Sequence, residues 1–246
     1  MTMRLDTVVP FGRSLDEYRK MFKLTDGDLR LHVLGVGDGP ASFNAELTAQ
    51  GGKVVSVDPL YAFDAGEIKK RFDSVVDGII EQVRNTPQDW VWSYHGSADD
   101  LRRNRIKVAE VFTADYAIGR HTERYVEGAL PSLPFPDRQF DLALCSHFLF
   151  LYSDQFSYAF HQQAITEMLR VAREVRIFPL LTLMLQRSHY IPQLLQFLKV
   201  VGYVASVRRV EYELQRGGNE MLVINPIGQP DDGLSGDHAR DGHLLE

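Results

Sequence analysis

LGVGDGPASF, Leu34–Phe43, sets glycines at alternate positions directly after an apolar run. Glycine in a strand or helix interior costs roughly 0.5–1 kcal/mol. Such a cluster marks a place where the backbone must turn tightly or let something approach it closely. The preceding LRLHVLGV reads as a buried strand, and PASFNAELTAQGG reads as a helix that stops at Gly51 and Gly52. KVVSVD is a second strand ending at Asp58. Strand, turn, helix and strand in so short a stretch form one βαβ unit, which favours a parallel sheet.

Outward from this unit, AGEIKKRFDSVVDGIIEQVRN carries Ile68, Phe72, Val75, Val76, Ile79 and Ile80 at helical spacing. SADDLRRNRIKVAEVFTADYAIG is a second long helix, so the two form an inserted helical pair over about 64–119. RYVEGAL is a short third strand, and FDLALCSHFLFLY opens as a fourth. SDQFSYAFHQQAITEMLRVARE follows as a helix with Ser153 as its candidate cap, and VRIFPLL is a fifth strand. SHYIPQLLQFLKVVG is a helix closing at Gly202; YVASVRRVEYEL and NEMLVIN are the last strands, joined as a hairpin through Gly217 and Gly218. SLDEYRKMF, near the start, has the capping-box pattern of Ser14 and Glu17. The expected division is an N-terminal helical extension or lid over 1–30, an α/β domain over 31–225, and a tail over 226–246 whose Gly, Pro and Asp content predicts disorder.

A chain of 246 residues with a net charge of -6 fits one large domain and argues against general nucleic-acid or membrane-surface binding. The single cysteine, Cys145, excludes an intramolecular disulfide and a cysteine-rich zinc site. Its apolar strand predicts an inert thiol. There is no metal-spacing motif and no apolar run of membrane-spanning length. These features predict a cytoplasmic protein; the oligomeric state is not readable.

The glycine turn and Asp58 carry the chemistry. Ligands of open parallel sheets sit beyond the carboxyl ends of the strands. A carboxylate there can accept hydrogen bonds from both hydroxyls of a ribose, which points to an adenosine-containing ligand. A dinucleotide needs G-x-G-x-x-G/A. Gly35, Gly37 and Gly39 instead give G-x-G-x-G, with Pro40 at the final position. This disfavours a nicotinamide-dependent oxidoreductase.

VLGVGDGPASF, VVSVDPLY and LPSLPFPDRQFDLALCSHFLFLY together resemble the class I S-adenosylmethionine-dependent methyltransferases, nearest the type 11-like branch whose members carry LPFPDxxFD before the fourth strand. The resemblance covers roughly Leu31 to Pro179 in motifs. It implies a Rossmann-like, seven-stranded, mainly parallel sheet of order 3-2-1-4-5-7-6 with helices on both faces. It implies S-adenosyl-L-methionine as cofactor and a small-molecule acceptor, with neither nucleic acid nor membrane as partner. By the resemblance Gly37 and Gly39 lie under the methionine and ribose portions. Asp58 holds the ribose, Pro59 and Leu60 flank the adenine, and Gly128, Ala129 and Leu130 run along its edge. Cys145, Ser146 and His147 border the methyl-donor pocket. Gly35 stands where the family has an acidic residue, with Asp38 as its candidate substitute, and Ala129 stands where an Asp is frequent. These departures leave a non-catalytic relative of the fold as the alternative.

His147 and Tyr152 are the candidate catalytic residues, the first for its place at a strand end, the second because a buried hydroxyl needs a polar partner. Phe148 and Phe150 are expected in the core. His121 is expected in a loop and His161 on a helix, both without a catalytic role. Phe11, Arg13 and Tyr18 belong to a segment that folds over the cofactor in many such chains, which would let Arg13 meet a carboxylate of cofactor or substrate; the alternative is a surface helix cap. Arg102, Arg103, Arg105 and Lys107 read as one solvated basic face.

Overall fold

A computed structural model describes residues 9–227. The expected extension begins, and the expected tail almost wholly lies, outside these residues. Seven strands form one sheet of order β3-β2-β1-β4-β5-β7-β6. They are β1 (His32–Val36), β2 (Lys53–Val57), β3 (Tyr125–Val126), β4 (Phe140–Ser146), β5 (Ala172–Phe178), β6 (Tyr203–Arg209) and β7 (Glu220–Pro226). β1 pairs in parallel with β2, Gly35 facing Ser56, and with β4, Gly35 facing Leu144. β7 enters antiparallel between β5 and β6. The anticipated order and terminal hairpin are therefore present, and β1 sits where the chain changes direction across the sheet.

The helices are α1 (Leu15–Met21), α2 (Phe43–Ala49), α3 (Ala65–Asn85), α4 (Ala98–His121), α5 (Tyr158–Val171) and α6 (Ile191–Val200). Strand residues alternate between two cores, as a two-residue side-chain period requires. Val33, Leu142, Leu144 and Val223 meet Tyr18 of α1, Phe22 just after it, Phe43 of α2, and Phe72 and Ile80 of α3. Leu34, Ala143, Cys145 and Ile224 meet Ile165 and Met168 of α5 and Leu194 and Leu198 of α6. The helical pair thus covers one sheet face. A satellite core of Tyr61, Ile68, Phe112, Tyr116 and Tyr125 closes the β3 edge.

Three local expectations are corrected. Ser157, not Ser153, caps α5, accepting from the Phe160 N–H at 3.2 Å. The Ser153 hydroxyl is committed elsewhere, donating to Phe150 O at 2.9 Å and touching Ser188 Oγ at 2.7 Å. The helix gives way to β5 at Ala172, so the arginine and glutamate assigned to its end are strand residues. His121 is the last residue of α4 rather than a loop residue.

Candidate functional site

β1 delivers Val36 to the turn, where Gly37 and Gly39 take φ of 67° and 54°, a left-handed region that favours glycine. The Gly37 N–H donates to Val57 O at 2.9 Å, tying the turn to the end of β2. The next residue of β2's exit is Asp58. Its Oδ2 accepts from the Gly39 N–H at 2.9 Å and its Oδ1 from the Leu60 N–H at 2.7 Å. The turn and the acid are one hydrogen-bonded unit.

This unit forms one end of a cavity of about 260 Å³. Gly37, Asp38, Gly39, Asp58, Pro59, Leu60, Ser146 and His147 all line it, which brings most of the sequence-derived candidates together. Gly35, Ala129, Leu130 and Tyr152 do not line it. Ala129 sits in a turn closed by the Ser132 N–H on Ala129 O at 3.1 Å, and Leu130 packs in the core beneath α5. Tyr152 lines an adjoining cavity of about 70 Å³, together with Ile79, Val83, Trp90, Leu101 and Leu214. Its hydroxyl accepts from the Val9 N–H at 3.4 Å.

Gly35 has a plain structural reason. A Cβ there would lie 1.8 Å from Asp38 Oδ2, so the Asp38 carboxylate fills the space above this glycine. The carboxylate is buried and accepts from the Tyr18 hydroxyl at 2.6 Å and the Ser56 hydroxyl at 2.6 Å. Burial pushes the Asp38 carboxyl up to about 7 against the pull of these two donors. Burial also raises Asp58, to about 6, opposed by the Leu60 and Gly39 N–H groups.

The Asp38 shift predicts a pH effect. Its folded value of about 7 exceeds the ordinary value of 3.8, so the native state holds the proton more tightly. Stability from this group therefore falls as pH rises through that window, with a slope approaching about 1.4 kcal/mol per unit. Asp38→Asn mimics the protonated side chain. Its urea-unfolding free energy is expected to vary less than wild type between pH 5 and 8, with the gain at the alkaline end. Parallel curves for the two proteins would show that Asp38 titrates normally.

A further wall is the strap of residues 9–13, with Val9, Pro10, Phe11 and Arg13 lining the cavity. Gly12 lets it lie flat on the glycine turn: a Cβ there would meet Pro40 O at 2.2 Å. Behind the strap α1 begins with the expected capping box of Ser14 and Glu17. Glu17 does more than cap. Fully buried, it takes Arg105 bidentately at 2.6 and 2.7 Å and accepts from the Tyr212 hydroxyl at 3.0 Å. His95 Nε2 lies 3.1 Å from that hydroxyl. Arg105 is thus a core residue, correcting its assignment to a solvated face. Burial alone would raise the Glu17 carboxyl, but the Arg105 charge and the His95 and Arg105 hydrogen bonds hold it well below the usual range.

His147 follows β4 in a left-handed conformation, φ 51°, its N–H on Phe178 O at 2.6 Å and its Nδ1 2.9 Å from Ser146 Oγ. Burial, with the charges of Arg13 and Arg105, holds the imidazole well below its usual range, so it is neutral at pH 7. Phe148 departs from its expected place in the core and faces the cavity, 3.2 Å from where a Gly37 Cβ would stand. Phe150 and Cys145 are buried as expected, and burial raises the thiol to about 12. Gly12, Phe63 and the Glu17 network escaped the sequence reading. The FGRS stretch before the capping box was the one local signal for Gly12.

A Rossmann-like sheet of this order, with a glycine turn and a strand-end acid at the carboxyl edge of β1 and β2, defines the class I methyltransferase fold. A family model described as a methyltransferase domain matches residues 98–175, a span containing LPFPDRQFD but neither the glycine turn nor Asp58. An uncharacterized protein of Methanocaldococcus jannaschii, MJ0045, is 31% identical over 223 residues, covering 90% of this chain and 98% of the relative. Similar solved structures include the PH0226 protein of Pyrococcus horikoshii, at 15% identity, 85% coverage of both chains and a TM-score of 0.44. Another is the magnesium protoporphyrin IX methyltransferase of Synechocystis with bound S-adenosylmethionine, at 14% identity, covering 85% of this chain and 76% of that one, with a TM-score of 0.43. The chain belongs to one family with MJ0045, and its residues 98–175 match a methyltransferase domain. Among the described residues no helix is long and apolar enough to cross a membrane, and no cluster of side chains could hold a metal ion.

Proposed function

We propose that the protein transfers a methyl group from S-adenosylmethionine to a small-molecule acceptor. One observation carries this reading: Asp58 and the bare main chain of Gly37 and Gly39 meet at a cavity that Arg13 and His147 also line. The residues fit the cofactor. Each Asp58 oxygen uses one lone pair on a backbone N–H and keeps another for a ribose hydroxyl. At pH 7 the carboxylate is mostly ionised despite its raised value. Pro59, Leu60 and Phe63 supply apolar surface for a flat base. The carboxylate of Asp38 above Gly35 replaces the missing family acid and weakens the case for a non-catalytic relative.

The cofactor, when bound, supplies an activated methyl on a cationic sulfur. The chain's own task is then positioning and exclusion of water. The strap and Phe148 enclose the cavity, and Ser146 orients the His147 ring. A neutral, buried His147 suits orienting an acceptor through a hydrogen bond better than storing a proton. Tyr152 serves as a positioning residue, pinning the strap through Val9. The smaller cavity beside Tyr152, walled by α3, α4 and the loop before β7, receives the acceptor.

Calorimetry with S-adenosylmethionine and S-adenosylhomocysteine tests the reading. Asp58→Ala is expected to weaken both roughly tenfold or more, about 1.4 kcal/mol. Unchanged affinity in that variant removes the ribose role. Absence of heat and of thermal shift in the wild type removes the function.

A further inference from the structure

Among the described residues Arg13 makes no ion pair of its own, and Glu17 acts on it only as a neighbouring charge. Its Nη1 donates to Phe11 O, and its buried Nε has no partner. No described carboxylate pairs with it, because Glu17 is already held bidentately by Arg105. Arg105 adds like charge nearby, and burial together with that charge lowers the guanidinium to about 10. The uncommitted edge, Nε and Nη2, is the side of a guanidinium that takes a carboxylate with two parallel hydrogen bonds.

The position of that edge narrows the ligand. Arg13 lines both cavities, and with Val9, Phe11 and His147 it forms their shared wall. Beyond it the smaller cavity is closed by Ile79, Val83, Trp90, Leu101, Leu151 and Leu214. Arg13 is the one cationic side chain there among the described residues. A cation at the mouth of an apolar pocket suits a short molecule with a carboxylate at one end and a hydrocarbon body.

We propose that the methyl acceptor is a small apolar carboxylic acid, its carboxylate held on the Nε–Nη2 edge of Arg13 at the wall the two cavities share and its hydrocarbon part in the smaller one. A carboxylate oxygen would supply the lone pair for the new O–CH3 bond as the S–CH3 bond breaks, leaving a methyl ester and S-adenosylhomocysteine. The assignment rests on the methyltransferase reading above for the word acceptor, but the binding it describes is measurable without turnover.

The test uses the full chain saturated with S-adenosylhomocysteine, so that the larger cavity is filled. Butyrate and benzoate are titrated by calorimetry, with butyramide and benzamide as neutral isosteres. At least one acid is expected to bind roughly tenfold more tightly than its amide. On protein still saturated with S-adenosylhomocysteine, Arg13→Gln should weaken the acid by a similar factor. Arg13→Lys keeps the charge but not the planar fork and should fall between. Circular dichroism checks that each variant folds; the acid–amide comparison on wild type stands even if one does not. Equal binding of acid and amide, or no binding of either acid to wild type, overturns the proposal. So does an Arg13→Gln variant that loses S-adenosylhomocysteine and keeps the acid, because Arg13 would then hold the cofactor's own carboxylate. If wild type fails to bind S-adenosylhomocysteine, the methyltransferase reading fails separately, and the same acid–amide titration on the ligand-free chain decides the Arg13 site.

Discussion

Glu17→Ala is expected to lower the unfolding free energy by about 3–5 kcal/mol, a large part of the 5–15 kcal/mol typical of a folded domain. The loss is not the worth of one ion pair. Removing the carboxylate leaves Arg105, which is 1% exposed, as an uncompensated charge in the core. It also takes an acceptor from the Ser14 N–H and the Tyr212 hydroxyl and breaks the capping box of α1. Urea unfolding measures the loss directly. The double variant Glu17→Leu with Arg105→Met removes both charges and should recover part of it, because an apolar pair of similar volume avoids the desolvation penalty. A single variant within about 1 kcal/mol of wild type would show that water reaches Arg105 and solvates it.

The same pair sets the acid limit of the fold. The Glu17 carboxyl is held below its ordinary value of 4.5 in the native state, so its stabilisation is full above that value and disappears as pH falls below it. Asp38 and Asp58 act with the opposite sign at higher pH, since their native values of about 7 and about 6 are raised. Glu17 favours the native state over the unfolded one by staying ionised, whereas the site carboxyls strain it by becoming so. Stability and site charge are thus in tension near neutral pH, where the proposed ribose contact needs Asp58 ionised.

The parts of this molecule that the sequence discloses are those whose cause is local. A run of strand residues, Gly37 and Gly39, a helix and then Asp58 constrain one another within a few dozen positions, so the βαβ unit and its acid can be read directly. The capping box is equally local. Arg105 is different. Its neighbours Arg102 and Arg103 face solvent, and its own burial depends on Glu17, 88 positions away, and on Tyr212 from the far end of the chain. No periodicity announces such a partner. Phe148 was misplaced for a related reason: its apolar character suits a core, yet Gly37 opposite it leaves the space that turns it into a cavity wall. Ser153 and Ser157 both look like helix caps, and only the commitments of the Ser153 hydroxyl separate them. Tertiary hydrogen bonding decides between locally equivalent choices.

The largest effect on ligand binding is expected from the smallest change near the site, Gly12→Ala. A methyl group there would meet the backbone of the glycine turn, with Pro40 O at 2.2 Å, Pro40 C at 2.3 Å and Ala41 N at 2.5 Å. None of these atoms belongs to a flexible side chain. The turn is itself fixed by Gly37 on Val57 and Gly39 on Asp58, so the strap must yield. With it go Val9, Pro10, Phe11 and Arg13, a whole side of the larger cavity and the wall it shares with the smaller one. Overpacking of this kind typically costs about 1–3 kcal/mol of stability. The loss of an enclosing wall is expected to weaken S-adenosylhomocysteine roughly a hundredfold, about 2.7 kcal/mol. Hydrogen exchange separates this from general unfolding: amides of residues 9–13 should lose protection while those of β1 and β4 keep it. Wild-type affinity in Gly12→Ala, with unchanged exchange in the strap, would mean that the segment packs beside the cavity without closing it.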